Sequence, residues 1–236
     1  MLAVLPHWLL SMFSVMPLPK IVVPVAITNT ANVGTATEAS SHTFSSQSIG
    51  AAAAGRIIAV AICTNGGGAG TDGASGVTIG GAAATKAIEI TAADHTHSSL
   101  WYLQVDAGTS IDIIVTWQRT SNGAGIGVYS VLNSSGSPVS TASDIDDAGA
   151  VYTTNTLDIP ALGGGIATAI DLKATSPATH TWVGLTENFE QNFKGNNKMS
   201  GAALAYEAIQ TNITVSCTPS ATTYQGSMVT AAWGPA

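Results

Sequence analysis

Charged side chains are scarce in this sequence: Asp, Glu, Lys and Arg make up only 9% of its 236 residues. An average soluble domain carries about 25%. Charge on edge strands is one of the means by which β-proteins avoid pairing with other chains. The composition therefore favours a subunit whose neighbours cover its surface over a freely diffusing enzyme.

Positive charge and cysteine are rarer still. Seven Lys and Arg stand against 14 Asp and Glu, which gives a formal net charge of −7. The seven are scattered, whereas phosphate binding needs clustered cations, so nucleic acid is not expected as a partner. Two cysteines, Cys63 and Cys217, are too few for a disulfide scaffold. Their apolar surroundings favour buried free thiols, with one disulfide between them as the alternative.

Helical periodicity is absent as well, since no segment of about ten residues repeats with a helical period. Instead, short apolar or alternating stretches such as Arg56–Thr64, Leu100–Val105 and Ile111–Trp117 follow one another. Turn signals separate them at intervals of roughly 8–12 residues, which is typical of sandwiches and barrels. The sequence predicts an all-β fold, an antiparallel β-sandwich of the jelly-roll type, with residues 35–236 as a single domain.

Three polar segments are predicted to interrupt the strands. The Ser121–Gly123 segment has turn composition and separates two apolar stretches. Residues 133–148 are predicted to form a long polar connection. Residues 186–200 are the most polar stretch of the chain and are predicted to form a loop.

The N-terminal segment, residues 1–34, is predicted to be an extended apolar arm. Its first charged residue is Lys20, so it lacks the basic start of a signal peptide, and prolines interrupt it as a membrane helix. Three interpretations remain: an arm that docks on a neighbour, an artefactual extension before a start at Met16, and a signal or anchor. The arm interpretation makes three residues candidates for partner binding, namely Ile21, Val22 and Val23.

No catalytic signature stands out, so neither enzymatic activity nor a cofactor is expected. The serine-hydrolase pattern G-x-S-x-G does not occur. Residues 68–73 match G-x-G-x-x-G, but a strand-like segment follows instead of the helix that a dinucleotide needs. Glu187 and Glu190 would serve a glycosidase only at a set separation that the sequence does not reveal.

The remaining candidates concern metals and sugars. Asp144, Asp146 and Asp147 form an acidic cluster that resembles calcium ligands but lacks the pattern of an EF-hand, so a solvated acidic turn is favoured. His95 and His97 are two ligands short of a structural zinc site, and no metal is predicted. Trp182, beside an Asn-rich stretch, is the candidate for stacking on a sugar ring.

A resemblance adds a functional expectation. The stretches Val77–Gly81, Leu100–Trp101, Ile111–Val115 and Ile126–Tyr129 resemble β-sandwich virion proteins of tailed bacteriophages, such as capsid decorations, head spikes and tail components. The resemblance implies a non-enzymatic virion protein, most simply a capsid decoration (cement) protein. Its partners would be copies of itself, with a trimer favoured, and the major capsid or tail protein, but neither nucleic acid nor a membrane. A carbohydrate-binding tail or secreted adhesin module is the alternative.

Overall fold

The computed structural model describes residues 21–66, 73–92, 96–146, 152–172, 179–195, 197–220 and 225–236. Within these ranges the regular secondary structure consists of strands alone, so the predicted all-β fold is confirmed. The strands are β1 (Ala26–Thr35), β2 (Ala39–Ser48), β3 (Ile57–Gly66), β4 (Ala74–Ile79), β5 (Ala82–Ala83), β6 (Thr85–Thr91), β7 (Thr96–Gln104), β8 (Ser110–Leu132), β9 (Ser134–Asp146), β10 (Tyr152–Ile159), β11 (Gly164–Leu172), β12 (His180–Val183), β13 (Thr186–Lys194), β14 (Asn197–Ala205), β15 (Gln210–Pro219) and β16 (Gln225–Pro235).

The first eight strands form one antiparallel sheet, the N-terminal sheet, around the long strand β8. β1 and β2 pair in succession with one edge of β8, and β3 and β4 pair in succession with its other edge. β7 and then β6 extend the sheet beyond β3, while β5 extends it beyond β4. β1 and β2 together therefore form one edge of the sheet.

Strand β3 is buried on both faces, as its continuous apolar run predicts. Ile58, Val60 and Ile62 point into a core that residues of the N-terminal sheet alone supply. The alternate residues, such as Ile57 and Ala59, point into a second core that the next sheet shares. Side chains alternate between the faces of a strand, so an uninterrupted apolar run is required where both faces are covered.

The second half of the chain forms two further sheets. A five-stranded middle sheet has the order β13-β14-β11-β16-β9, and a three-stranded outer sheet has the order β10-β15-β12. The middle sheet packs against the N-terminal sheet through residues such as Tyr129 and Trp233. Its other face packs against Leu157 and Val215 of the outer sheet. The predicted antiparallel sandwich is confirmed. A jelly roll proper has eight strands in two sheets, whereas the described part of this chain stacks three.

Each segment predicted to be a loop or turn contains strand. β8 continues through Ser121–Gly123, where the hydroxyls of Thr64 and Ser121 both donate to the Gly123 carbonyl, at 2.7 and 2.8 Å. The predicted connection at 133–148 is largely β9, which pairs with β16. The predicted loop at 186–200 contains β13 and the first four residues of its partner β14, with Gly195 between them at φ of 55°. Those predictions were wrong because cross-strand pairing outweighs local polarity.

The N-terminal segment enters the sandwich before the predicted boundary at residue 34. Val25 is buried, and its amide donates to the Leu162 carbonyl at 2.7 Å. β1 then pairs along the second half of β8, from Ala26 opposite Leu132 to Thr35 opposite Ala124. Residues 1–20 lie outside the described residues. Within the predicted arm, only residues 21–25 are both described and outside a strand.

Both cysteines are buried free thiols, as predicted. Cys63 Sγ lies 3.4 Å from Thr168 Oγ1 of the middle sheet and 3.5 Å from Ser98 Oγ of its own sheet. Burial raises the pKa of Cys63 to about 12, although the hydrogen bonds to Ser98 and Thr168 act in the opposite direction. Such a thiol stays protonated at neutral pH and is unreactive. Cys63 therefore has a packing role.

Candidate functional site

Several chain ends and turns meet at one end of the sandwich. The Asn133 side chain donates to the Pro24 carbonyl at 3.0 Å, and the amide of Ala236 donates to the Asn133 carbonyl at 3.0 Å. The turn between β10 and β11 lies against the same region, because Leu162 accepts from Val25. The site where the chain enters the sandwich, its C-terminus and this turn are thus neighbours.

Exposed apolar side chains concentrate at this end. Among the described residues, seven large apolar side chains are exposed, and six of them lie in or next to the segments that meet at this end, whereas Val183 belongs to β12 of the outer sheet. We call the other six the apolar end: Ile21, Val22, Val23, Val139, Leu204 and Ile209. Ile21, Val139 and Ile209 are 87%, 54% and 67% exposed. Clustered exposed apolar residues mark interaction sites more often than isolated ones do.

A groove of about 400 Å³ crosses the apolar end. Its lining is mostly apolar, and Asp158 is its one charged residue: Val139, Asp158, Ile159, Pro160, Ala161, Ile209, Gln210 and Thr211. A smaller depression of about 260 Å³ is lined by Ile21, Val23, Asn133 and Ala236. The predicted partner-binding residues Ile21, Val22 and Val23 therefore lie where the chain enters the sandwich, at the end that carries the groove.

The second candidate site is a charged cluster at the seam between the middle and outer sheets. Glu190 of β13 accepts hydrogen bonds from the backbone amide of His180 and from its Nδ1, the latter at 3.1 Å. Its second oxygen lies 2.6 Å from Lys198 Nζ on β14. This carboxylate therefore joins β12 of the outer sheet to two strands of the middle sheet.

The electrostatics of this cluster suit a structural role. Burial alone would raise the pKa of Glu190, but hydrogen bonds from His180 and Lys198 outweigh it and lower that pKa to about 2. A general acid or base works best with a pKa near the operating pH. The neighbouring Glu187 is largely exposed. Its pKa is raised, first by the partial burial of its carboxylate and then by the negative charge of Glu190. Glu190 is thus permanently ionised at neutral pH and is held as a clamp.

Trp182 is also part of this seam. Its ring nitrogen donates to Ser200 Oγ on the middle sheet at 2.7 Å. Its ring is half-buried and packs against the clusters that include Val215 and Met228. The structure thus gives Trp182 a packing and bridging role, and its use as a sugar platform stays a prediction.

The acidic candidates for calcium lie on a different edge. Asp144 and Asp146 belong to β9 and pair with Met228 and Gly226, and the Asp144 carboxylate accepts from the amide of Ile145 at 3.0 Å. Asp147 lies outside the described residues, as do His95 and most of the G-x-G-x-x-G segment. Within the described part, no three His, Cys, Asp or Glu side chains are arranged to hold a metal ion.

The acidic groups do not form one active site. β13, with Glu190, and β9, with Asp144, are the opposite edges of the five-stranded middle sheet. Four strand spacings separate them, or about 19 Å. Paired glycosidase carboxylates stand about 5–9.5 Å apart. A hydrolase built from these two groups therefore does not fit this geometry.

Comparisons with protein-family models, curated proteins and solved structures gave no match to this chain. Over the described ranges, no helix has the length and hydropathy needed to cross a bilayer.

Sequence reasoning missed part of the apolar end. Val139 lies within the segment predicted to be a polar connection, and Ile209 is a single apolar residue between two strands. Neither position has a local signal of function.

Proposed function

We propose that this protein is a non-enzymatic structural subunit of a virion, specifically a decoration (cement) protein that stabilises a phage head through contacts between subunits. The apolar end is the observation that carries the proposal, because six of the seven exposed large apolar side chains of the described part gather there. A partner that covers them gains roughly 25 cal/mol per Å² of apolar surface removed from water.

The use of charge supports the same proposal. Of the few ionised side chains, Arg56 is buried, and Glu190 is paired with Lys198 across a strand pair. Lys86 pairs with Glu89 and lies 5.2 Å from the centre of the Trp101 ring. Charges engaged within the subunit provide little repulsion between neighbours. Arg56 is thus withdrawn from the surface, and the two ion pairs neutralise their own charges, so these groups do not oppose close packing in a lattice.

The resemblance to phage β-sandwich proteins supplies the specific location. A head lattice holds its decorations through symmetric contacts, and a trimer is the favoured state. The major capsid protein is the expected partner beneath it.

Electron microscopy of virions from the source of this sequence, labelled with antibody against the purified chain, tests the proposal. Regular labelling over the head is the expected result. Label confined to the tail would rule out a decoration role. Unlabelled particles would rule out a virion role altogether, provided that the antibody binds the purified chain in a parallel blot.

A further inference from the structure

We propose that the groove at the apolar end binds residues 1–20 of a second copy of this chain, so that neighbouring subunits exchange their N-terminal segments. This inference rests on the proposed function, because it states how the subunits hold one another. It assigns one occupant to the groove and one use to the most apolar stretch of the sequence.

The chemistry of the segment matches that of the groove. Residues 1–19 contain no Asp, Glu, Lys or Arg, and Trp8 and Phe13 supply large apolar side chains. An aromatic side chain of this kind buries about 150–250 Å². Most of the groove's lining is apolar, its one charged residue being Asp158, and the first charged side chain of the segment is Lys20. The two charges are of opposite sign.

The direction in which the chain leaves the sandwich favours a second copy over the same copy. The amide of Val25 donates to the Leu162 carbonyl, and the Pro24 carbonyl accepts from the side chain of Asn133. Ile21, four residues before Val25, is already 87% exposed. The side chain of Ile21 is therefore open to a neighbouring subunit at the point where residues 1–20 join the described part of the chain. Twenty extended residues reach at most about 66–72 Å, which is ample to span a subunit boundary.

The arrangement also allows reciprocal exchange. The site where the chain leaves and the groove lie at one end of the sandwich, because Pro160 and Ala161 of the groove and Leu162 beside Val25 belong to one turn. Copies that meet at this end each present a segment and a groove, so each subunit of a ring such as the favoured trimer can pass its segment to the next. Exchange of identical elements between subunits is a low-cost route to closed, symmetric oligomers.

Disulfide trapping between two separately purified variants tests this inference. One variant carries a single new cysteine in the segment, at Leu5→Cys, Leu9→Cys or Phe13→Cys, and the other carries Ile209→Cys. A disulfide between the new cysteines is then necessarily between chains, and Cys63 and Cys217 do not compete because they are buried. Val183→Cys is the matched control, since Val183 is 59% exposed. It pairs with Ser216, six residues and about 20 Å along β15 from Gln210.

We expect at least one segment position to cross-link to Ile209→Cys ten times faster than to Val183→Cys under mild oxidation. Equal rates, or no cross-link at any of the three positions, overturn the inference. A doubly substituted chain that cross-links only within itself overturns the choice of a second copy. Light scattering on the unmodified chain separates the two proposals. Oligomers without the cross-link leave the structural role standing, whereas a monomer refutes both.

A charge placed in the groove gives an independent measurement. Val139→Asp and the control Val183→Asp both change exposed valines, so both variants should keep the thermal midpoint of the parent. We expect Val139→Asp to weaken the self-association constant at least tenfold and Val183→Asp to leave it within twofold. Equal effects of the two substitutions would show that the groove is not the contact.

Discussion

Arg56 and Glu190 are ionised side chains placed inside a protein that has few of them, and their surroundings differ. Arg56 is fully buried, and its guanidinium donates only to neutral backbone carbonyls: Ile49, Gly50, Ala51, Val105, Ala107 and Gly108, at 2.6–3.2 Å. The side chain of Glu190 remains about 20% exposed and has a charged partner, Lys198. Arg56 holds two loops of the N-terminal sheet together, and Glu190 joins the middle sheet to the outer sheet.

The difference shows what each charge does for the fold. A guanidinium has five donors in a fixed fork, so one Arg can close two loops whose carbonyls have no strand to pair with. A carboxylate only accepts, so Glu190 gathers donors from β12 and β14 at a seam where water still reaches. Both charges stabilise contacts within the subunit. The surface that remains is available for contact with neighbours, which is the basis of the proposed function.

Of the substitutions that test this comparison, loss of the Arg56 guanidinium is expected to reduce the free energy of unfolding most. Arg56→Met keeps the length of the apolar stem but leaves six carbonyls without their donor. Each buried group left unsatisfied costs about 1–3 kcal/mol, and we expect a loss of about 4 kcal/mol or more in the free energy of unfolding, measured by urea titration. Gln118→Met, at an exposed position of β8, is the control and should change stability by about 0.5 kcal/mol or less. A loss below about 1 kcal/mol for Arg56→Met would contradict the account.

His97 sharpens the comparison, because it is as buried as Arg56 but is kept neutral. Its Nδ1 lies 3.0 Å from Thr91 Oγ1, and its Nε2 has no hydrogen-bond partner among the described residues. Burial, followed by the charge of Lys86, lowers the pKa of His97 from 6.5 to about 4. The unfolded chain therefore binds a proton more readily between these values, so stability is complete above pH 6.5 and declines as the pH falls towards 4.

The expected decline is about 3 kcal/mol over that range, since one pKa unit corresponds to about 1.4 kcal/mol. Unfolding titrations of the parent and of His97→Gln at pH 7, 5.5 and 4.5 measure it. The variant should lose most of the slope below pH 6.5, even if it is less stable at pH 7. Parallel pH profiles for the two proteins would show that His97 is charged in the folded state.

Substitution of Glu190 is expected to reduce the free energy of unfolding by less, and its pH dependence falls in a more acidic range. Glu190→Gln removes the charge from the clamp, and we expect a loss of about 1 kcal/mol at pH 7, because the site is partly exposed and solvent weakens its interactions. The folded pKa of about 2 lies below the ordinary 4.5, so the contribution is complete above pH 4.5 and disappears as the pH falls towards 2. The parent and variant should therefore converge in acid. Glu38→Gln, at an exposed position, is the control.

Trp182 gives the smallest effect. Trp182→Phe keeps an aromatic ring at the seam but removes the donor to Ser200, and we expect a loss of about 1 kcal/mol in the free energy of unfolding. The same variant separates packing from sugar binding on a glycan array. Binding by the parent that Trp182→Phe abolishes would favour the carbohydrate-binding alternative, whereas our account expects no glycan signal from either protein.

The sequence carries enough information to predict the class of fold and its best strands. The continuous apolar run through Ile57–Thr64 predicts a strand covered on both faces, and it is one. The apolar surroundings of Cys63 and Cys217 predict buried free thiols, and both cysteines are buried free thiols in the structure. The arm interpretation selects Ile21, Val22 and Val23 as candidates for partner binding, which stays a prediction, and the structure places these side chains on the surface.

Long-range pairing accounts for what could not be predicted. Arg56 reads as the start of a strand, but its role depends on carbonyls about 50 residues away in the chain, such as those of Val105 and Ala107. Segments 133–148 and 186–200 are polar because they lie at edges of the middle sheet, which local composition does not distinguish from a loop. Val139 of β9 and Ile209, which precedes β15, line one groove only because both of these strands contact β10.

Sedimentation velocity of the complete chain over a range of concentrations is the most direct test of the claim that neighbours cover this weakly charged surface. We predict a concentration-dependent oligomer, with a trimer of three 23.7-kDa chains as the favoured species. A single 23.7-kDa species that persists at every concentration would contradict it.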